Sequence, residues 1–254
     1  MKTETIADVI ARLEGLVAQR RDGALAFDAD GTLWSGDVGD DFFRGALAQG
    51  RIEPVAEEAI RRLAVEFGVV VPHGAVPLAA AVYDAYLRGV VPEDRICEMV
   101  AFVCAGWTSE EVASFATRVA RSGKLADRLH PEVTTVLAWA REEKLDAYVV
   151  SASPLAIVVE GARPLGFDSE HIVAVASIAE GGVLTAGIDR PIPYDAGKVT
   201  RLFERLGSRP LYAAFGDNVF DIPLLRAAKV AIAVRPKSRL VDRASEVPGL
   251  VRLV

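Results

Sequence analysis

Three short apolar runs in this chain stop on reactive side chains, and stretches of helical periodicity separate them. Leu25-Ala-Phe-Asp28-Ala-Asp30 ends in two carboxylates, Ala147-Tyr-Val-Val-Ser151-Ala-Ser153 in hydroxyls, and Leu211-Tyr-Ala-Ala-Phe-Gly-Asp217 in an acid. Continuous apolar runs without polar alternation suit strands buried on both faces, and such strands pair in parallel through crossover helices. The expected class is therefore α/β with a Rossmann-like parallel sheet. Ile172–Ser177 and Lys229–Val234 read as further strands, and Leu250–Val254 as an edge strand. Right-handed crossovers bring the carboxyl ends of such strands to one edge, where ligands bind in open α/β sheets.

Between the first two runs the pattern changes. Ile6, Val9, Ile10, Leu13 and Leu16 mark an amphipathic opening helix, but from Ser35 to Arg128 helical periodicity dominates and no strand intervenes. Helices are expected over 38–49, 54–67, 76–87, 92–104 and 110–121, the last opened by the capping box Thr108-Ser-Glu-Glu111. The division that follows is a core of 1–34 and 129–254 with an all-helical cap, 35–128, inserted after the first strand. Because the insertion leaves and re-enters beside Asp28, it must stand over that strand end. Gly36, Gly39 and Gly123 are the expected flexible points, and Gly181–Gly187 reads as a hairpin or flap.

Charge narrows the partners. A net charge of -6 and a pI near 5.3 leave no basic footprint for nucleic acid. Met1–Arg21 has no apolar leader core, and no apolar run approaches the ~20 residues of a membrane span, so a cytoplasmic protein is expected, and the chain admits a homodimer. Cys97 and Cys104 lie on one helical face too far apart along its axis for a disulfide, and read as buried free thiols.

Two adjacent carboxylates such as Asp28 and Asp30 repel unless a cation offsets them. Mg²⁺, which prefers one or two carboxylates plus phosphate oxygens, would do so. With Ser151, Asp217, Asp221 and a lysine, Lys198, at the start of a later helix, the set supplies what phosphoryl transfer through a carboxylate needs. Four segments in this order resemble the haloacid dehalogenase superfamily, and within it the phosphoserine-phosphatase-like enzymes with a helical cap. They are Asp28-Ala-Asp-Gly-Thr32, Val149-Val-Ser-Ala-Ser-Pro154, Tyr194-Asp-Ala-Gly-Lys198 and Phe215-Gly-Asp-Asn-Val-Phe-Asp221.

The resemblance implies a Mg²⁺-dependent phosphatase acting on a small phosphomonoester through an aspartyl-phosphate. Asp28 would be the nucleophile and Asp30 the general acid and base, an acid that a dehalogenase would not need. Ser151, Ala152 and Lys198 would hold the phosphoryl group, and Asp28, Asp30, through its carbonyl, Asp217 and Asp221 the metal. Asp37 falls where phosphoserine phosphatases carry a glutamate for the substrate amine, and reads equally as a helix N-cap. Ala152 replaces a glycine typical of those enzymes and would crowd the backbone approach. Asp40 and Asp41 read as a solvated helix face. Arg44, Arg88 and Arg95 are the arginines of the cap that could read a carboxylate, although surface placement is the default. His73, His130 and His171 read as structural. Phosphotransfer to an acceptor other than water, or a silent binding protein on the same fold, are the alternatives.

Overall fold

The computed structural model describes all 254 residues. A seven-stranded sheet, parallel at every pairing, forms the centre in the order β1-β9-β8-β7-β2-β3-β4. Its strands are β1 (Lys2–Glu4), β2 (Ala24–Phe27), β3 (Asp146–Pro154), β4 (Ile172–Val175), β7 (Leu211–Gly216), β8 (Val230–Ala233) and β9 (Val251–Leu253). Strand β2 lies between β7 and β3 and is buried at every residue. Leu25 and Phe27 point into the larger apolar cluster, Ala24 and Ala26 into the smaller one, and Phe27 stacks on Phe215 of β7 at 4.3 Å. The small alanines let helices on that face come close to the sheet.

Helices α1 (Ile6–Gln19), α7 (Pro131–Glu142) and α8 (Leu155–Ala162) contribute to the larger cluster, and α9 (Ala196–Leu206) and α10 (Ile222–Ala227) to the smaller. The short α11 (Ser238–Asp242) completes this side through Leu240. The N-terminal strand β1 carries no periodic signal in its three residues and was not expected. It pairs with β9, so β9 is an inner strand and β1 occupies the edge.

Five helices separate β2 from β3: α2 (Val38–Gln49), α3 (Pro54–Glu66), α4 (Ala75–Leu87), α5 (Glu93–Phe102) and α6 (Ser109–Ser122). Thr108 and Glu111 form the expected capping box. These helices are not joined to the sheet by their two connections alone. Phe42, Trp107 and Phe115 belong to the same continuous apolar cluster as Leu25 and Phe27. The flap is an antiparallel hairpin of β5 (Ser177–Glu180) and β6 (Val183–Ile188), turning at Gly181-Gly182. Its tip is bonded to the insertion through Gly106 N to Leu184 O at 2.8 Å, Leu184 N to Trp107 O at 2.9 Å and Ser109 N to Gly182 O at 2.9 Å. Ser177, expected to end β4, instead opens the hairpin and donates to Ala101 O.

At the covalent connections, Ser35 N donates to Arg128 O at 3.0 Å and Arg128 Nε returns a bond to Ser35 O at 2.7 Å. Buried His130 places Nδ1 2.9 Å from Thr32 O, a structural role. Gly36 has φ +86°, the left-handed region, and an added Cβ would meet the Arg128 guanidinium. Gly39, by contrast, is the second residue of α2 and is buried against Ser153, so it permits packing and is not a joint. Gly123 ends α6 with an ordinary negative φ.

Candidate active site

The carboxyl ends of β2, β3 and β7 open into one cleft, roofed by α2, α4 and α5. Every position marked in the sequence for catalysis, phosphate or metal lines it. Asp28 follows directly on β2, its N–H prolonging the ladder by donating to Phe215 O at 2.9 Å. The chain then turns sharply, with Gly31 at φ +88° and its N–H bonded to Trp34 O. A Cβ on Gly31 would stand 2.6 Å from Asp217 Cγ. Glycine there lets the first turn and the end of β7 approach each other closely.

Asp28 is buried, and its Oδ1 accepts from Lys198 Nζ at 2.6 Å. The same ammonium donates to Asp221 Oδ1 at 2.5 Å. Asp221 Oδ2 accepts the backbone N–H groups of Asp217 (3.0 Å) and Asn218 (2.9 Å), which locks the turn after β7. Burial pushes the Asp28 carboxyl well up, and the charges of Asp221 and Asp217 push the same way while Lys198 opposes them. Burial also raises Asp217, reinforced by Asp221. Burial works against the charge on Lys198, yet Asp221 and Asp28 outweigh it and the net shift is upward.

Asp30 is held quite differently. Oδ1 accepts from Trp34 Nε1 and Val38 N, both at 2.8 Å, and Oδ2 from Ser153 Oγ at 2.6 Å. Despite three donors its carboxyl is pushed up to about 6, by burial first and by the Asp37 charge second. Trp34 is fully buried against Gly161 and bridges to Leu129, so it braces the connection while orienting Asp30.

Ser151 is buried, with Oγ accepting from Ser153 N at 3.1 Å, and Ala152 lines the cleft between them. Asp37 caps α2, accepting from Asp40 N at 2.9 Å, and also faces the cleft. Asp40 corrects the reading of a solvated face: it takes the Tyr83 hydroxyl at 2.7 Å and Arg44 at 2.7 Å at the cleft wall. Asp41 pairs with Arg128 at 2.5 Å and so belongs to the connection. Arg95 pairs with Glu98 and Glu66, Arg88 is exposed, and no arginine lines the cleft. Both cysteines are free, Cys104 buried and Cys97 half-buried on the cleft wall.

Three cleft residues, Ser153, Lys237 and Glu93, have no role assigned from the sequence. Ser153 could have been found, because residues two apart on a strand share a face and Ser151 was already marked. Lys237 could not: it lies before α11, and its Nζ reaches Asp217 Oδ2 at 2.9 Å across the fold.

Three carboxylates, Asp28, Asp217 and Asp221, bring oxygens within 4.8 Å of one another. Against them stand two ammonium groups, so the cluster keeps an excess negative charge even before Asp30 is counted. Asp217 Oδ1 is buried and has no hydrogen-bond partner. An all-oxygen donor set with an orphaned carboxylate oxygen fits a hard divalent cation such as Mg²⁺.

A model of the haloacid dehalogenase-like hydrolases matches residues 25–226. A probable phosphatase of Mycobacterium tuberculosis H37Rv is 31% identical over 165 residues, 60% of this chain and 53% of that protein, so the chain spans about half the length of the curated relatives it matches. Among solved structures, a protein of unknown function from Bordetella pertussis Tohama I superposes with TM-score 0.69 at 22% identity, covering 91% of this chain and 98% of the other. A probable phosphoserine phosphatase from Vibrio cholerae gives TM-score 0.54 at 13% identity, over 94% and 67%. At these identities the two structures speak for the fold. No helix is long and apolar enough to cross a membrane.

Proposed function

The chain belongs to the haloacid dehalogenase-like hydrolases, and on that premise we propose that it is a Mg²⁺-dependent phosphomonoesterase working through an aspartyl-phosphate on Asp28. The observation that carries this reading is the contrast between two buried carboxyls in one cleft. Asp28 faces the Lys198 ammonium at 2.6 Å, which favours its carboxylate form against the upward push of burial, Asp221 and Asp217, while Asp30, at about 6 and with no cationic partner, can carry a proton near neutral pH. One is fitted to attack and the other to donate. The similarity to a probable phosphatase supports a phosphate ester as the substrate.

In the proposed reaction an Asp28 oxygen attacks phosphorus, and the P–O bond to the alcohol breaks as Asp30 passes its proton to the leaving oxygen. Asp30, now a carboxylate, takes a proton from water, and that water oxygen attacks phosphorus to break the bond to Asp28 and release phosphate. Lys198 and Ser151 hold the equatorial oxygens, and the N–H groups around Ala152 stand beside them. Asp28, Asp217, Asp221 and the Asp30 carbonyl would hold Mg²⁺, which would neutralise the excess carboxylate charge and that of the phosphoryl group. Residues 35–128 act as the cap over this site and 1–34 with 129–254 as the catalytic core. An acid anchored by three donors at Asp30 would have no task if a halide left, which separates this proposal from dehalogenation.

The test is hydrolysis of p-nitrophenyl phosphate by the wild type and by Asp28→Asn, each with and without Mg²⁺. Turnover that needs both Asp28 and Mg²⁺ is expected; Mg²⁺-independent turnover surviving in the variant would overturn the proposal.

A further inference from the structure

The two walls of the cleft differ in charge, and the difference bears on the alcohol that leaves. Its cationic lining residues, Lys198 and Lys237, both stand on the sheet side and are bonded to the acids that surround the phosphoryl position. The helical wall opposite carries acids and rings. Glu93, the first residue of α5, lines the cleft with no ion pair and no hydrogen bond to its carboxylate. Burial lifts its carboxyl, with Arg239 opposing and Asp37 adding to the rise. Asp37 lines the cleft too and has no cationic partner. Around these acids Tyr83 and Tyr86 meet edge-on at 5.6 Å, and Tyr194 packs on Phe220 at 4.6 Å. The same cleft contains the orphaned Asp217 Oδ1, so it is built for a charged occupant.

A half-buried carboxylate without a partner is costly, and tyrosine faces attract cations through the ring quadrupole. Anionic groups find the reverse: a carboxylate on the leaving alcohol would face Glu93 and Asp37, with Arg44 held by Asp40 at the cleft wall, Arg95 held by Glu98, Lys237 bonded to Asp217, and Arg239, which acts on Glu93, outside the cleft lining. We propose that this cleft takes phosphomonoesters of cationic alcohols that carry no carboxylate, amino or quaternary ammonium alcohols, with Glu93 as the residue that reads the cation. This rests on the phosphatase reading above. It sets the chain apart from an enzyme for phosphoserine, whose leaving alcohol bears both charges. Glu93 and Asp37 flank the ammonium group while Tyr83 and Tyr86 give it an aromatic wall.

The experiment measures kcat/KM with Mg²⁺ for phosphocholine, phosphoethanolamine, phosphoserine, 3,3-dimethylbutyl phosphate as the uncharged isostere of phosphocholine, and p-nitrophenyl phosphate. A preference of about tenfold or more for the cationic esters over both the isostere and phosphoserine is expected. Glu93→Gln should bring the ratio of phosphocholine to its isostere down by about tenfold, through KM, while Glu93→Asp keeps part of it. Turnover of p-nitrophenyl phosphate with a cation-to-isostere ratio near one, or a preference for phosphoserine, overturns this inference and leaves the phosphatase reading standing. No turnover of any ester overturns both.

Discussion

The sheet side and the helical side of the cleft are built on opposite plans. On the sheet side every acid is tied: Asp28 and Asp221 to Lys198, Asp217 to Lys237, Asp30 to Trp34, Val38 and Ser153. On the helical side Glu93 and Asp37 have no cationic partner, and the packing is aromatic. Tied groups keep their geometry when substrates change, which the transfer step requires; untied acids and ring faces can receive different alcohols. On the proposed reading, reaction and selectivity draw on largely different side chains, and they meet at the start of α2, where Val38 N bonds Asp30 and Asp37 faces the cleft.

The largest effect is expected on the tied side. Lys198→Ala leaves Asp28 and Asp221 buried and facing each other, and should lower kcat on p-nitrophenyl phosphate by about 10³-fold or more. A loss below about tenfold in steady-state assays would show that Lys198 is not part of the transfer machinery.

Asp30 offers a sharper and smaller test. Its carboxyl sits at about 6, so the fraction able to protonate a leaving alcohol falls as pH rises through that value. With an alkyl phosphate, kcat should decline above about pH 6; with p-nitrophenyl phosphate, whose leaving group needs no proton, the alkaline limb should be flatter. Ser153→Ala removes a donor to the Asp30 carboxylate, a contact that lowers its pKa, and should therefore move the alkaline limb to higher pH by up to about one unit. Superimposable pH profiles for the two esters would remove Asp30 from the acid role.

Lys237→Ala probes whether the second lysine compensates for the acids. Its ammonium is half-exposed, so the loss should be modest, about 1 kcal/mol, and larger without Mg²⁺ than with it, because a bound cation takes over the charge on Asp217. Thermal denaturation at both conditions checks this; equal shifts in Tm would show that lysine and metal do not share Asp217. The smallest effect belongs to the helical side. Thr108→Ala, which breaks the capping box of α6, should cost about 1 kcal/mol or less and lower Tm by a few degrees. A larger drop would mean that the adjoining bonds of Trp107 and Ser109 to the hairpin depend on that cap.

How far the molecule could be read in advance depended on the range of each signal. The buried run Ala24–Phe27, the acids after it, the periodicity of each of the five inserted helices and the box at Thr108 are local patterns, each written within a single element or its cap. Parallel pairing then makes strand ends converge, so Asp28, Ser151 and Asp217 could be placed together before any contact was known. The hairpin's hold on the insertion was not legible, because backbone bonds between Trp107 and Leu184 leave no mark on either side chain. Strand β1 was missed for a similar reason: three residues carry too little pattern to stand out, and it is a strand only because β9 offers it an edge.

The amino-acid order by itself determined which strand ends carry acids and hydroxyls, since side-chain direction along a strand alternates by necessity and apolar runs must be buried. The charges around them come from the packing of distant segments. That Lys237 would meet Asp217, that Asp40 would take a tyrosine hydroxyl, and that Glu93 would face the cleft without a partner depend on how far helices from distant segments sit from the sheet edge. Electrostatic contacts of this kind form between groups remote in sequence, and their strength is set by burial, which no local pattern encodes.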